Sequence, residues 1–230
     1  MKKFLSFALA LQLYAAFPDY YYKIKNTQKQ KQAFTEILLP LIQTENEKIK
    51  TLRNKIIEIF NDPYYMLYPQ KVAFLAKVAK KYKIKDINNK KEFLEKINII
   101  PPSLALAQGA IESGWGKSRF VRLGNNIFGH WIYSNKGIAP KSTYDDINIT
   151  YSLRIFPSLE DSVAAYMLNL NRNRAYKKFR ELREKFYENN KTFTGIDAAD
   201  TMINYSQKKE TYINMLKQMI KSNKWQNFDK

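Results

Sequence analysis

Glu112 stands at the end of an apolar run and is followed at once by Gly-Trp-Gly. The stretch reads Leu104-Ala105-Leu106-Ala107-Gln108-Gly109-Ala110-Ile111-Glu112-Ser113-Gly114-Trp115-Gly116. If residues 103–113 form a helix, Glu112 lies on its last turn. Apolar neighbours and a helix C-terminus both disfavour the ionised carboxylate, so the acid form should persist toward neutral pH. Such a carboxylic acid can protonate a leaving oxygen, the step that breaks a glycosidic bond. Trp115 offers an aromatic face of the kind sugars stack on, and Gly114 and Gly116 would let a ligand approach the backbone. Each feature also has a plainer use. A glutamate on a helix is usually solvated, a tryptophan fits a core, and glycines make turns. The conjunction is what points to chemistry.

The elements needed to hold this stretch can be read around it. Helical spacing runs through Phe34, Ile37, Leu38, Leu41 and Ile42, then Ile49, Leu52, Ile56, Ile57 and Phe60, which predicts a helix over 27–60. Pro40 should kink or split it. Further helices are expected over 69–83, from Asn88-Asn89 through Ile97, from Ser103 to Ser113 with Gly114 as its stop, and over about 174–189, 197–206 and 208–222. Ser158-Leu159-Glu160-Asp161 resembles a capping box opening a helix through Leu170. Six of the seven glycines fall between Gly109 and Gly137, so tight turns should follow the Glu112 helix. Residues 147–151 and 153–156 alternate as strands do. The fold class is mostly α (α+β), with a small β insertion after the glycine-rich turn.

Several motifs then converge. Ala107-Gln108-x-x-Ile111-Glu112-Ser113-Gly114-Trp115-Gly116 and Gly124-Asn125-Asn126-Ile127-Phe128-Gly129 resemble the N-acetylglucosaminidase domain of glycoside hydrolase family 73, and within it most nearly the bacterial Bax-like proteins. Phe156-x-Ser158-x-x-Asp161-Ser162-Val163, Asn173-Arg174-Ala175-Tyr176, Tyr205-Ser206 and Tyr212-Ile213-x-Met215-Leu216 fit the same pattern, in order, across about residues 69–223. The resemblance implies a lysozyme-like helical domain with a small β-lobe, cutting β-1,4 bonds of the peptidoglycan glycan strand. It implies Glu112 as the general acid and Tyr176 as a tyrosine of the site. It places Trp115, Asn125, Asn126 and Phe128 in the turn that forms the groove, with His130 and Tyr151 as further substrate-binding candidates. His130 stands where the pattern leads one to expect Gln, Lys or Met, and it is open to substrate contact or to packing. The second carboxylate of the family falls in the β-lobe. Asp145 and Asp146 are the only acids between Glu112 and Glu160, and Asp146 is the candidate; a solvated turn is the other reading. An inverting route or assistance by the substrate's 2-acetamido group fits better than a covalent intermediate. A lytic transglycosylase and a non-catalytic wall-binding protein are the alternatives.

Composition narrows the field. The 230 residues contain no cysteine and one histidine, which excludes disulfides, thiolate sites, a cysteine nucleophile and multi-histidine metal sites. No metal or organic cofactor is implied. The net charge of +18 comes from 39 basic and 21 acidic residues, and the basic ones are mostly lysines spread along the chain. That is a solvated surface attracted to an anionic envelope, not the arginine-rich face of a nucleic-acid reader. Met1-Lys2-Lys3 followed by an apolar run from Phe4 to Phe17 reads as an export signal, cut after Ala16, or as an uncleaved anchor; a buried N-terminal helix is the plainer alternative. The expected organisation is therefore a signal over 1–16, a helical extension over 17–68, and a lysozyme-like domain over 69–230. The location expected is the periplasm or cell envelope. Residues 24–100 could dock a protein partner, cover the groove or extend the helical domain.

Overall fold

The computed structural model describes residues 16–140, 151–205 and 209–229. In chain order the helices are α1 (Asp19–Lys23), α2 (Thr27–Asn61), α3 (Pro69–Tyr82), α4 (Lys90–Lys96), α5 (Pro102–Ser113) and α6 (Arg119–Gly124). A two-stranded sheet follows, β1 (Trp131–Ile132) and β2 (Ser152–Leu153). Then come α7 (Leu159–Arg172), α8 (Lys177–Glu188), α9 (Gly195–Ala199) and α10 (Lys209–Ser222). The fold is mostly helical with a minimal β element, as the pattern predicts.

α5 is the central helix. Every residue from Ser103 to Ala110 is buried, so its apolar character all round has a structural cause: α2, α9 and α10 pack against it. Its small residues let the neighbours come close. A side chain at Gly109 would meet Leu38 of α2 at 3.0 Å and Ile127 at 3.2 Å. Gly114 ends the helix at φ +55°, the left-handed conformation expected of a glycine stop.

α2 runs unbroken for 35 residues, with Pro40 inside it. The expected split does not occur: Pro40 lies on the exposed face, where water can satisfy the carbonyl freed by the missing N–H. The opposite face buries Phe34, Leu38, Ile42, Ile49 and Ile56 in the same core as α5 and α7. Residues 27–61 therefore extend the helical core. Before α5, buried Arg183 donates to the carbonyls of Glu95 at 2.9 Å, Asn98 at 3.0 Å and Ile99 at 2.9 Å. Arg53 donates to the carbonyl of Ile97 at 2.9 Å. These guanidinium forks fix the segment that leads into the helix. At its N-terminus the Asp229 carboxylate accepts from the Ser103 amide at 2.9 Å and the Gly195 amide at 2.8 Å, tying α5 to α9.

Some expectations shift. β2 is shorter than the strand expected over 153–156, and its partner β1 was not expected; the register pairs Trp131 with Leu153 and Ile132 with Ser152. Residues 147–150 lie outside the described residues. α6 was also not anticipated, its single turn being opened by Ser118, which accepts from the Val121 amide at 3.3 Å. The helix expected over 197–206 is only α9 plus a 3-10 turn at Met202–Asn204. Ser158 does cap α7, accepting from the Asp161 amide at 3.1 Å.

Candidate active site

Glu112 emerges from the buried α5 at its last turn, and its side chain reaches the surface. α10 packs alongside α5 and brings Tyr212 to it: the Tyr212 hydroxyl donates to Glu112 Oε1 at 3.0 Å. Tyr205 stacks parallel on Tyr212, with ring centroids 5.7 Å apart and planes 5° apart. Tyr176 stands 6.0 Å beyond Tyr205. The three rings form a wall beside the carboxyl. Burial, and after it the negative charge of Glu112, push the Tyr212 phenol far above its usual pKa, so it stays a hydrogen-bond donor. Burial raises Tyr176 as well; a hydrogen bond with Asn169 works the other way, and Glu112 adds to the rise.

Glu112 also faces backbone. Gly129, at φ +67°, faces Glu112, since a Cβ built on it would lie 4.0 Å from Glu112 Oε2. The turn that carries Gly129 is fixed by Asn126. Its Nδ2 donates to the carbonyls of His130 at 2.8 Å and Arg154 at 2.9 Å, and its Oδ1 accepts from the His130 amide at 2.9 Å. Asn125, in the left-handed region at φ +53°, donates to the carbonyl of Phe156 at 2.9 Å and accepts from the Ala16 amide at 2.5 Å. Phe128 stacks on Tyr166 at 3.9 Å, nearly parallel, and is buried. The predicted groove-forming turn is present, but Asn125, Asn126 and Phe128 turn their side chains inward. What the turn presents to Glu112 is the Gly129 backbone.

Trp115 is placed differently from the open aromatic plate that the sequence led us to expect. Its ring packs edge-on to Phe34 at 5.3 Å and against Trp225 at 5.7 Å, with the Lys31 ammonium 5.1 Å from its centroid. Gly116 likewise makes room for a side chain of this protein: a Cβ there would sit 2.6 Å from the Phe17 ring. Phe17, the last residue of the N-terminal apolar run, is part of the core.

His130 is wedged between Phe128, 6.5 Å away, and Phe156, 5.6 Å away. Burial, helped by the Arg154 charge, pushes its imidazole down to about 4. It packs as a neutral ring. Tyr151 is 42% exposed and lies 5.5 Å from Trp131, which is 55% exposed. The pair forms an open aromatic face on the β-lobe, of which the sequence pattern marks only Tyr151. Asp146 lies outside the described residues. Among the described residues no group of three His, Cys, Asp or Glu side chains could hold a metal ion.

The structure thus brings Glu112 and Tyr176 into one site and adds Tyr212, Tyr205 and Gly129. The signal for Tyr205 and Tyr212 was present, because both lie in the motifs that carry the resemblance. Spacing of about 100 residues gave no hint that Tyr212 would touch Glu112.

Glu112 thus stands at the end of a buried helix, beside a wall of tyrosines and facing a glycine turn, and sequence comparison gives the class of protein. The profile of the Glucosaminidase family, described as mannosyl-glycoprotein endo-beta-N-acetylglucosaminidase, matches residues 88–225. The chain belongs to this family, glycoside hydrolase family 73. It is also 32% identical to "Protein bax" of Escherichia coli (strain K12) over 199 residues, spanning 84% of this chain and 69% of that protein. No solved structure matches it.

Proposed function

We propose that the protein is an exported peptidoglycan hydrolase, an endo-β-N-acetylglucosaminidase with Glu112 as its general acid. The observation that carries the reading is the Glu112 carboxyl held at 3.0 Å by Tyr212, at the surface end of an otherwise buried helix within a glucosaminidase domain. A glycan strand lying along the tyrosine wall would present its glycosidic oxygen to this acid. Tyr176 lines the site on the far side of Tyr205. Trp131 and Tyr151 provide an apolar face for a more distant sugar ring.

Asp146 is our candidate for the second carboxylate. As a base acting through a water it would give inversion, a geometry that needs about 6.5–9.5 Å between the two acids. Assistance by the substrate's 2-acetamido group would need no such base. Export rests on Met1-Lys2-Lys3 and the apolar run after them; a cut after Ala16 would leave the buried Phe17 as the first residue.

Digestion of purified peptidoglycan, with mass spectrometry of the new reducing ends, tests the reaction type. New N-acetylglucosamine ends are expected. Anhydro-muramyl ends would make the protein a lytic transglycosylase. Binding without any product would make it a wall-binding protein.

A further inference from the structure

Two buried polar groups stand behind Glu112. Gln108 lies one helical turn before Glu112 on α5, and Tyr166 lies on α7; neither is exposed. The Tyr166 hydroxyl donates to Gln108 Oε1 at 2.5 Å. Gln108 Nε2 donates to the Tyr212 hydroxyl oxygen at 3.1 Å, and Tyr212 donates to Glu112 Oε1 at 3.0 Å. The direction of this chain is fixed by chemistry. An amide oxygen only accepts and an amide nitrogen only donates. With Nε2 donating to it, Tyr212 has its own hydrogen left for Glu112. Turning the amide over would leave the hydroxyl hydrogen of the fully buried Tyr166 without an acceptor among the described residues, which is costly.

We propose that Tyr166, Gln108 and Tyr212 are positioning residues, a one-way hydrogen-bond relay that holds the Glu112 carboxyl and confines its transferable proton to Oε2, the oxygen facing Gly129. The proposal rests on the reading of Glu112 as the acid. A proton on Oε1 would leave the buried Tyr212 hydroxyl donating to a carboxyl O–H oxygen, a poorer acceptor than the carbonyl-type oxygen that stays at Oε1 when the proton is on Oε2. With the proton on Oε2, the acid delivers to the side bounded by the Gly129 backbone. After transfer, the carboxylate is left accepting from Tyr212, which favours the ionised form.

Tyr212→Phe tests this while keeping the ring stacked on Tyr205. Removing the donor should raise the Glu112 pKa by about one to two units. Since the acid must be protonated, the high-pH limb of kcat/KM should move up by the same amount, while kcat at the optimum falls. Gln108→Met, which leaves Tyr212 unoriented, should move the limb in the same direction by less. Titration of Glu112 by 13C NMR, assigned against Glu112→Gln, reads the shift without any turnover. An upward NMR shift in Tyr212→Phe supports the relay even if no substrate is cleaved, in which case only the assignment as a hydrolase fails. An unmoved Glu112 titration in a folded Tyr212→Phe protein overturns the relay, whatever the activity. Equal loss of kcat at every pH, with no limb shift in either variant, would reduce both residues to packing.

Discussion

His130 sits on the turn that faces Glu112, and its charge state sets how that turn behaves in acid. In the unfolded chain its imidazole binds a proton near pH 6.5, whereas in the fold it resists until about 4. Between those values the unfolded state holds more protons. The stability present above pH 6.5 is therefore lost as the pH falls toward 4, by about 2 kcal/mol at pH 5 from this one group. Denaturant unfolding of the wild type and of His130→Asn at pH 7.5 and pH 5 checks this. The wild type should lose about 2 kcal/mol more than the variant over that interval; parallel losses would mean that His130 is not held neutral. At the residue scale the sequence marks Glu112 as a candidate and places it on the last turn of its helix, where the structure has it, because an acid at an apolar helix end followed by Gly-Trp-Gly is a local pattern. Trp115 was read from the same local pattern, yet the sequence does not show that α2 and the C-terminal turn would pack against its half-buried ring. Gln108 was only one letter of a motif, since its two tyrosine partners come from helices 58 and 104 residues away.

The glycine after Trp115 illustrates how elements meet. Gly116 adopts φ +71°, and the Phe17 ring covers the space a side chain would need. Gly116→Ala should strain the backbone and push the N-terminal strap off the α5 C-terminus, costing roughly 1–3 kcal/mol. A thermal melt measures the loss, and protease cleavage near residue 20 should become faster; unchanged melting would show that Phe17 does not depend on that contact. Helices with a long apolar stripe were legible with bounds close to those seen: α2, α3, α5, α7 and α10 all fall where periodicity places them. The short elements were not. α6 and α9 are one turn or little more, and β1 and β2 have two residues each, too few for any period to register. Their geometry comes from turn chemistry instead, above all from Asn126 clamping residues 126–130 to Arg154.

For the whole molecule, the family match begins at residue 88, but the core does not. Phe34, Leu38 and Ile42 of α2 are fully buried with α5 and α7. A chain beginning at residue 88 would expose the faces they cover. It should lose cooperative unfolding and near-ultraviolet circular dichroism; native-like spectra and a sharp melt would show that the family segment folds alone. The extension is thus structural. The same assembly is what holds Glu112 in place, because α5 is gripped by α2, α9 and α10 together. If this held carboxyl is the acid of a glucosaminidase, removing it must stop cleavage. The direct measurement is the rate of peptidoglycan solubilisation by wild type and by Glu112→Gln, with circular dichroism confirming that both are folded. The wild type should release fragments ending in N-acetylglucosamine, and the variant should do so at a rate at least about 100-fold lower. A folded Glu112→Gln protein that cleaves at the wild-type rate would contradict that role.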